Sequence, residues 1–161
     1  MKFRATGKLV VKARSSVHDT TTTWDKISGD VDADPDAIET AKAQFSVDMT
    51  AFDAGDWLKN RKLRKDFALE DHPTATFALD KVSNVQRDGA KFTATAEGML
   101  RWRGKQVPLK LTGHGSLDDQ RLTATASFEL DIKLLGLTPP KFFLFKVEDV
   151  VTVDVKLEGS R

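Results

Sequence analysis

LTATASFELDI, residues 122–132, is the stretch whose reading decides the fold. Leu122, Ala124, Ala126, Phe128, Leu130 and Ile132 fall on one side of an extended chain; Thr123, Thr125, Ser127, Glu129 and Asp131 fall on the other. Successive side chains of a strand point to opposite faces, so this period of two describes a strand with one face in an apolar interior and one in water. The pattern recurs. Phe92, Ala94, Ala96 and Gly98 oppose Thr93, Thr95 and Glu97, and Ala43, Phe45, Val47 and Met49 oppose Gln44, Ser46, Asp48 and Thr50. Near the end of the chain, Val151, Val153, Val155 and Leu157 oppose Thr152, Asp154, Lys156 and Glu158. A slip of one residue would turn each apolar set into water, so register is strongly specified.

Extended outward, the alternation predicts strands near residues 5–14, 22–33, 38–52, 74–85, 90–102, 105–115, 121–133 and 147–158. Asp34-Pro35-Asp36, Asp88-Gly89, Arg103-Gly104 and Asp118-Asp119 supply turn chemistry between them. Short links make consecutive strands antiparallel. Eight strands with one apolar face each can close into a barrel and abolish exposed edges, although alternation alone also suits an open sandwich. One helix interrupts the pattern at residues 56–67, DWLKNRKLRKDF, with Asp56 as cap and Trp57, Leu58, Leu63 and Phe67 assigned to one face. Pro73 stops it and pushes His72 toward extended backbone. The expected fold is mainly β, an eight-stranded antiparallel barrel with one inserted helix, filling residues 1–161 as one domain.

Composition removes several functions. The 161 residues contain no cysteine, so disulfides, thiol catalysis and cysteine-bound zinc are excluded. Lys+Arg 25 against Asp+Glu 24 leaves no field that would attract nucleic acid. No run approaches the ~18 apolar residues of a transmembrane helix. The opening residues, MKFRATGKLVVKAR, have no apolar signal region, so the chain as written reads as cytoplasmic, with a processed periplasmic form as the alternative.

Catalytic candidates are weak. His72 lies beside Asp71, but neighbours on extended chain point apart and cannot readily form an orienting pair. His18 precedes the threonine run at residues 20–23, and His114 sits between Gly113 and Gly115; none of the three shows metal-ligand spacing. Turn or packing histidines are the favoured reading. Lys59, Arg61, Lys62, Arg64 and Lys65 are balanced by Asp53, Asp56, Asp66, Glu70 and Asp71, which suits a solvated helix face better than a phosphate site.

Two features point to a container. Ala94, Ala96, Gly98, Ala124 and Ala126 are small residues in mid-strand on inward faces, which leaves either a lumen or a taper filled by Phe45, Phe77 and Phe128. The apolar run at residues 142–145, within GLTPPKFFLFK, must cover a barrel end, a partner chain (a second copy giving a homodimer) or a bound lipid. The wall candidates for ligand contact are Phe45, Val47, Phe77, Phe92, Ala94, Ala96 and Phe128.

LRKDFALEDHPTATF (63–77), GMLRWRGKQVPLKL (98–111), FELDIKLLGL (128–137) and VEDVVTVDVKLEG (147–159), preceded by FSVDMTAFDAGDWLKNRKL (45–63), together resemble the YceI-like family. The order of these segments spans nearly the whole chain, and the piece around His72-Pro73-Thr74 is the most specific. The resemblance implies a lipocalin-like barrel, commonly bacterial, whose elongated apolar lumen binds a polyisoprenoid or similar amphiphilic lipid, such as an isoprenoid quinone or a prenyl pyrophosphate; the leading expectation is a carrier of that lipid without catalysis or cofactor. Asp131-Ile132-Lys133 stands where many members carry an arginine, and the opening block at residues 13–29 is also a variant, so the lumen is carried over but no phosphate ligand. The competing expectation is a solid-core barrel acting as a protein-interaction or stress-related structural module.

Overall fold

The computed structural model describes residues 1–15, 19–137, 141–142 and 145–161. In chain order the strands are β1 (Lys2–Ser15), β2 (Thr20–Asp32), β3 (Lys42–Asp48), the two-residue β4 (Phe52–Asp53), β5 (Thr74–Asp88), β6 (Lys91–Trp102), β7 (Lys105–Leu117), β8 (Arg121–Asp131), the two-residue β9 (Lys141–Phe142) and β10 (Phe145–Ser160). Helix α1 (Trp57–Asp66) lies between β4 and β5. Each long strand pairs antiparallel with its sequence neighbours, and β1 pairs with both β2 and β10. The ladder therefore returns to its start. The eight long strands form the expected closed antiparallel barrel, and the sandwich, which the alternation suits equally, is gone.

The turns explain the hairpins. Gly89 at φ +62, Arg103 at φ +56 and Gly104 at φ +71 take the left-handed conformation that tight hairpins require. Between β7 and β8 a carboxylate does the work instead: Asp118 Oδ1 accepts the amides of Gln120 and Arg121, each at 2.8 Å. Those two bonds stabilise the charged form and hold the Asp118 carboxyl below its ordinary value.

Three expectations need correction. The strand drawn over residues 38–52 is a 3-10 turn at Ile38–Thr40 followed by β3, which ends at Asp48. There the Asp48 carboxylate accepts the Thr50 amide at 3.0 Å and its hydroxyl at 2.6 Å, turning the chain. The strand drawn to residue 133 ends at Asp131, which caps a second 3-10 turn, Ile132–Leu135, by accepting the Lys133 amide at 3.0 Å. In α1, Leu63 and Phe67 are buried, whereas Trp57 and Leu58 are 69% and 47% exposed. Leu63 and Phe67 are four residues apart and share a face; Trp57 and Leu58 precede Leu63 by six and five, off that stripe. The Asp56 cap holds, accepting the Lys59 amide at 2.8 Å.

Two apolar clusters stand toward the ends of the tube. At the helix end Trp24, Leu63, Phe67, Leu69, Trp102 and Leu135 pack together. At the other, Phe3, Ile38, Leu117 and Leu122 do so. The residues around His72-Pro73 tie the helix end to the wall through backbone: Trp102 Nε1 donates to the His72 carbonyl at 2.9 Å, and the Met49 amide donates to the Pro73 carbonyl at 2.7 Å. The seam is structural.

Wall glycines decide where two phenylalanine rings go. A Cβ on Gly29 would strike the Phe45 ring and the Gln44 carbonyl, and one on Gly98 the Phe77 ring and the Ala78 carbonyl. The rings lie along the wall because these glycines leave room for them. We expect Gly98→Ala to cost about 1–3 kcal/mol through overpacking, measured as a lowered urea midpoint; an unchanged midpoint would show that the ring has other space. For Asp118, a depressed carboxyl stabilises above its unfolded value and loses that contribution as pH falls through the folded one. The melting-temperature gap between the parent and Asp118→Asn should therefore be present at neutral pH and shrink on acidification.

Candidate functional site: the barrel lumen

The interior of the barrel is hollow. Between the two end clusters runs a cavity of about 380 Å³, within the ~300–1,000 Å³ common for small-molecule sites. All seven sequence-predicted wall residues line it: Phe45, Val47, Phe77, Phe92, Ala94, Ala96 and Phe128. Each sits on the inward side of its strand. Their burial is often only partial, since an inward side chain here faces open space rather than a neighbour.

The space comes from small residues stacked across neighbouring strands. Ala94 on β6 pairs with Gly113 on β7, which pairs with Ala126 on β8. One step along, Phe92 pairs with Gly115, and Gly115 with Ala124. Three adjacent strands thus carry almost no side-chain volume inward at this level, and an eight-stranded barrel is only just wide enough for that to matter. The solid-core expectation fails on this row.

The lining is nearly all carbon. It includes no Asp, Glu, Lys or Arg among the described residues. Its buried polar side chains are Thr20 and Thr22, neighbours on the inward face of β2. The threonine run carries no direction in the sequence analysis, although Thr20, Thr22 and Trp24 follow the same period of two. Leu9 and Val11 on β1, Leu109 and Leu111 on β7, and Trp24 and Trp102 near the helix end also go unassigned there, and all line the cavity.

The other candidates fall outside the lumen's chemistry. The backbone of His72 is used structurally, and its ring makes no hydrogen bond among the described residues. His114 Nε2 lies 2.8 Å from Thr125 Oγ1 across the β7–β8 ladder. His18 lies outside the described residues. Among those described, no cluster of His, Asp or Glu is arranged to hold a metal, and no helix is long and apolar enough to cross a membrane. In the basic cluster, Lys62 pairs with Asp66 at 3.1 Å, while Arg64 donates to the Thr50 carbonyl at 3.2 Å and lies over the Phe52 ring. In the apolar run at residues 142–145, Phe142 pairs with Phe145 between β9 and β10. Phe143 and Leu144, and with them the covering role expected of the run, lie outside the described residues.

A family model described as the YceI-like domain matches residues 4–159. The chain belongs to the YceI-like family. Solved structures agree on the fold. The chain is similar to Burkholderia cenocepacia BcnA at 21% identity and TM-score 0.79, covering 94% of this chain and 95% of that one. It is also similar to a polyisoprenoid binding domain from Saccharophagus degradans implicated in plant cell wall breakdown, at 13% identity and TM-score 0.73, covering 98% and 97%. A Campylobacter jejuni YCEI protein superposes at 15% identity and TM-score 0.71, covering 87% and 84%. A search of curated protein sequences finds no match.

The YceI-like barrel carries three tryptophans, and only Trp57 stands in water while Trp24 and Trp102 line the lumen. Trp57→Phe should shift the emission to the blue and cut quenching by acrylamide severalfold. Emission that stays red and fully quenchable would place the remaining indoles in solvent.

Proposed function

We propose that this YceI-like barrel binds and carries a long-chain amphiphile, an isoprenoid or similar lipid, by taking its apolar part into the lumen. The observation that carries the reading is the carbon-walled cavity of about 380 Å³. The family match and the likeness to a polyisoprenoid binding domain support it. Phe45, Val47, Phe77, Phe92, Ala94, Ala96 and Phe128 then act as the wall that contacts the tail.

Burial supplies the affinity. Each CH₂ moved from water contributes roughly 0.8 kcal/mol, so about ten buried groups give ~8 kcal/mol, against an association cost of ~4–15 kcal/mol. Short tails therefore bind weakly, and retention rises steeply with chain length. Within the described lining a ligand meets two buried hydroxyls, Thr20 and Thr22, with Thr125 and His114 where the lumen adjoins the outer recess, and no Asp, Glu, Lys or Arg. A charged head group buried there would lose its hydration without compensation, so the lumen selects the tail and leaves an ionic head at its boundary. The reading is of a binder rather than a catalyst: its step is capture and release.

Ala94→Phe with Ala126→Phe puts two rings into the row that makes the space. The double variant should keep its far-ultraviolet circular dichroism and lose lipid retention in native mass spectrometry. Undiminished retention in a folded double variant would remove the lumen from consideration.

A further inference from the structure

The barrel wall is not uniformly bonded. β7 and β8 share five pairs, from Gly113↔Ala126 to Leu117↔Leu122, fewer than any other two adjoining long strands among the described residues. β7 nevertheless begins at Lys105 and β8 runs on to Asp131. Beyond Gly113 and Ala126 no backbone pair joins the two strands, and Pro108 removes one of the donors β7 would need to extend the ladder. The unpaired stretch is bounded at both ends. On one side stands the His114···Thr125 contact at 2.8 Å. On the other, Arg103 Nε donates to the Leu135 carbonyl at 3.3 Å, and Val107, Ile132 and Leu135 pack in one cluster. The result is a slit, not an open edge.

Both rims of the slit are apolar inside and polar outside. Leu109 and Leu111 on β7, and Phe128 and Leu130 on β8, line the lumen and are half-buried. Outside, a recess of about 430 Å³ is lined by Thr112, His114, Thr125, Ser127, Lys8 and Lys156, among others. Recess and lumen share His114, Thr125, Ala126 and Val155. Gly113 and Ala126 put almost nothing over the backbone there from within. Opening any fully paired part of the wall would break several backbone hydrogen bonds at about 0.5–1.5 kcal/mol each. Opening the slit breaks no ladder pair, because none joins the strands there, and the lumen-lining side chains beside it include Leu111 and Phe128.

We propose that the β7–β8 slit is the side door through which the amphiphile enters and leaves the lumen. This rests on the lipid-binding reading above, and the experiment separates the two. The chain has no cysteine, so Thr112→Cys with Ser127→Cys, the next positions in register on the outer face, introduces a single staple; a short bis-methanethiosulfonate, which forms a disulfide with each thiol and releases methanesulfinate, closes the pair if no direct disulfide forms. The control staple is Thr123→Cys with Glu158→Cys, on the outer face of a fully paired ladder. Both are built on Trp57→Phe, so that quenching of Trp24 and Trp102 by a geranyl-tailed benzoquinone reports entry in stopped flow. We expect the stapled slit to take up the quinone at least tenfold more slowly, with the rate restored by reductant or by omitting the reagent, and the control staple to have no effect. Equal rates with the slit open and stapled, or equal slowing by the control, would overturn the doorway alone. Absence of quenching in the unstapled protein would overturn the lipid reading and the doorway with it.

Discussion

β1 bonds to β2 along one edge and to β10 along the other, so the first and last strands of the chain meet. That closure fixes the diameter of the barrel at eight strands, and at that diameter the interior has little volume to distribute. Whether it is solid or hollow depends on the side chains turned inward at each level. Ala94, Gly113 and Ala126, in register on three consecutive strands, settle it toward hollow. Gly29 and Gly98 add to this by letting the Phe45 and Phe77 rings lie against the wall instead of across the space.

A closed ladder also satisfies backbone groups that would otherwise demand water, which lets the lumen be lined almost wholly by carbon. The apolar clusters toward the two ends then keep the tube shaped. Trp24 and Trp102 pack there, and each gives its indole N–H to a backbone carbonyl, Met49 and His72 respectively. Helix α1 is fastened to the same end by Leu63 and Phe67 and by Asn60, whose carbonyl accepts the Ala54 amide at 2.6 Å. A container with that lining is suited to the long apolar tail proposed for it.

Much of this was legible in the residues themselves. Alternation located the eight strands and named the inward residues, because period two is a local property and register errors would be costly. The helix and its Asp56 cap were equally local. What alternation could not give was anything set by partners distant in sequence. Which ladders run the full length of their strands, and that β7 and β8 stop pairing after Gly113 and Ala126, follows from barrel geometry rather than from either strand's pattern. Trp57 and Leu58 misled because apolar residues near a helix start suggest burial, while the stripe that docks is set by Leu63 and Phe67. At the 3-10 turns Ile38–Thr40 and Ile132–Leu135 the burial falls out of phase with the strands, since Ile38 stands five residues before Ala43 and Leu135 five after Leu130, and the strands drawn over residues 38–52 and to residue 133 run past that signal.

The most direct measurement is organic extraction of the protein purified from a bacterial host under non-denaturing conditions, followed by mass spectrometry of the extract. A hollow apolar lumen predicts near-stoichiometric recovery of a long-chain lipid, enriched over its share of the host's membranes. Folded protein that yields no lipid, and takes none up when delipidated and offered the host's total lipid extract, would contradict it.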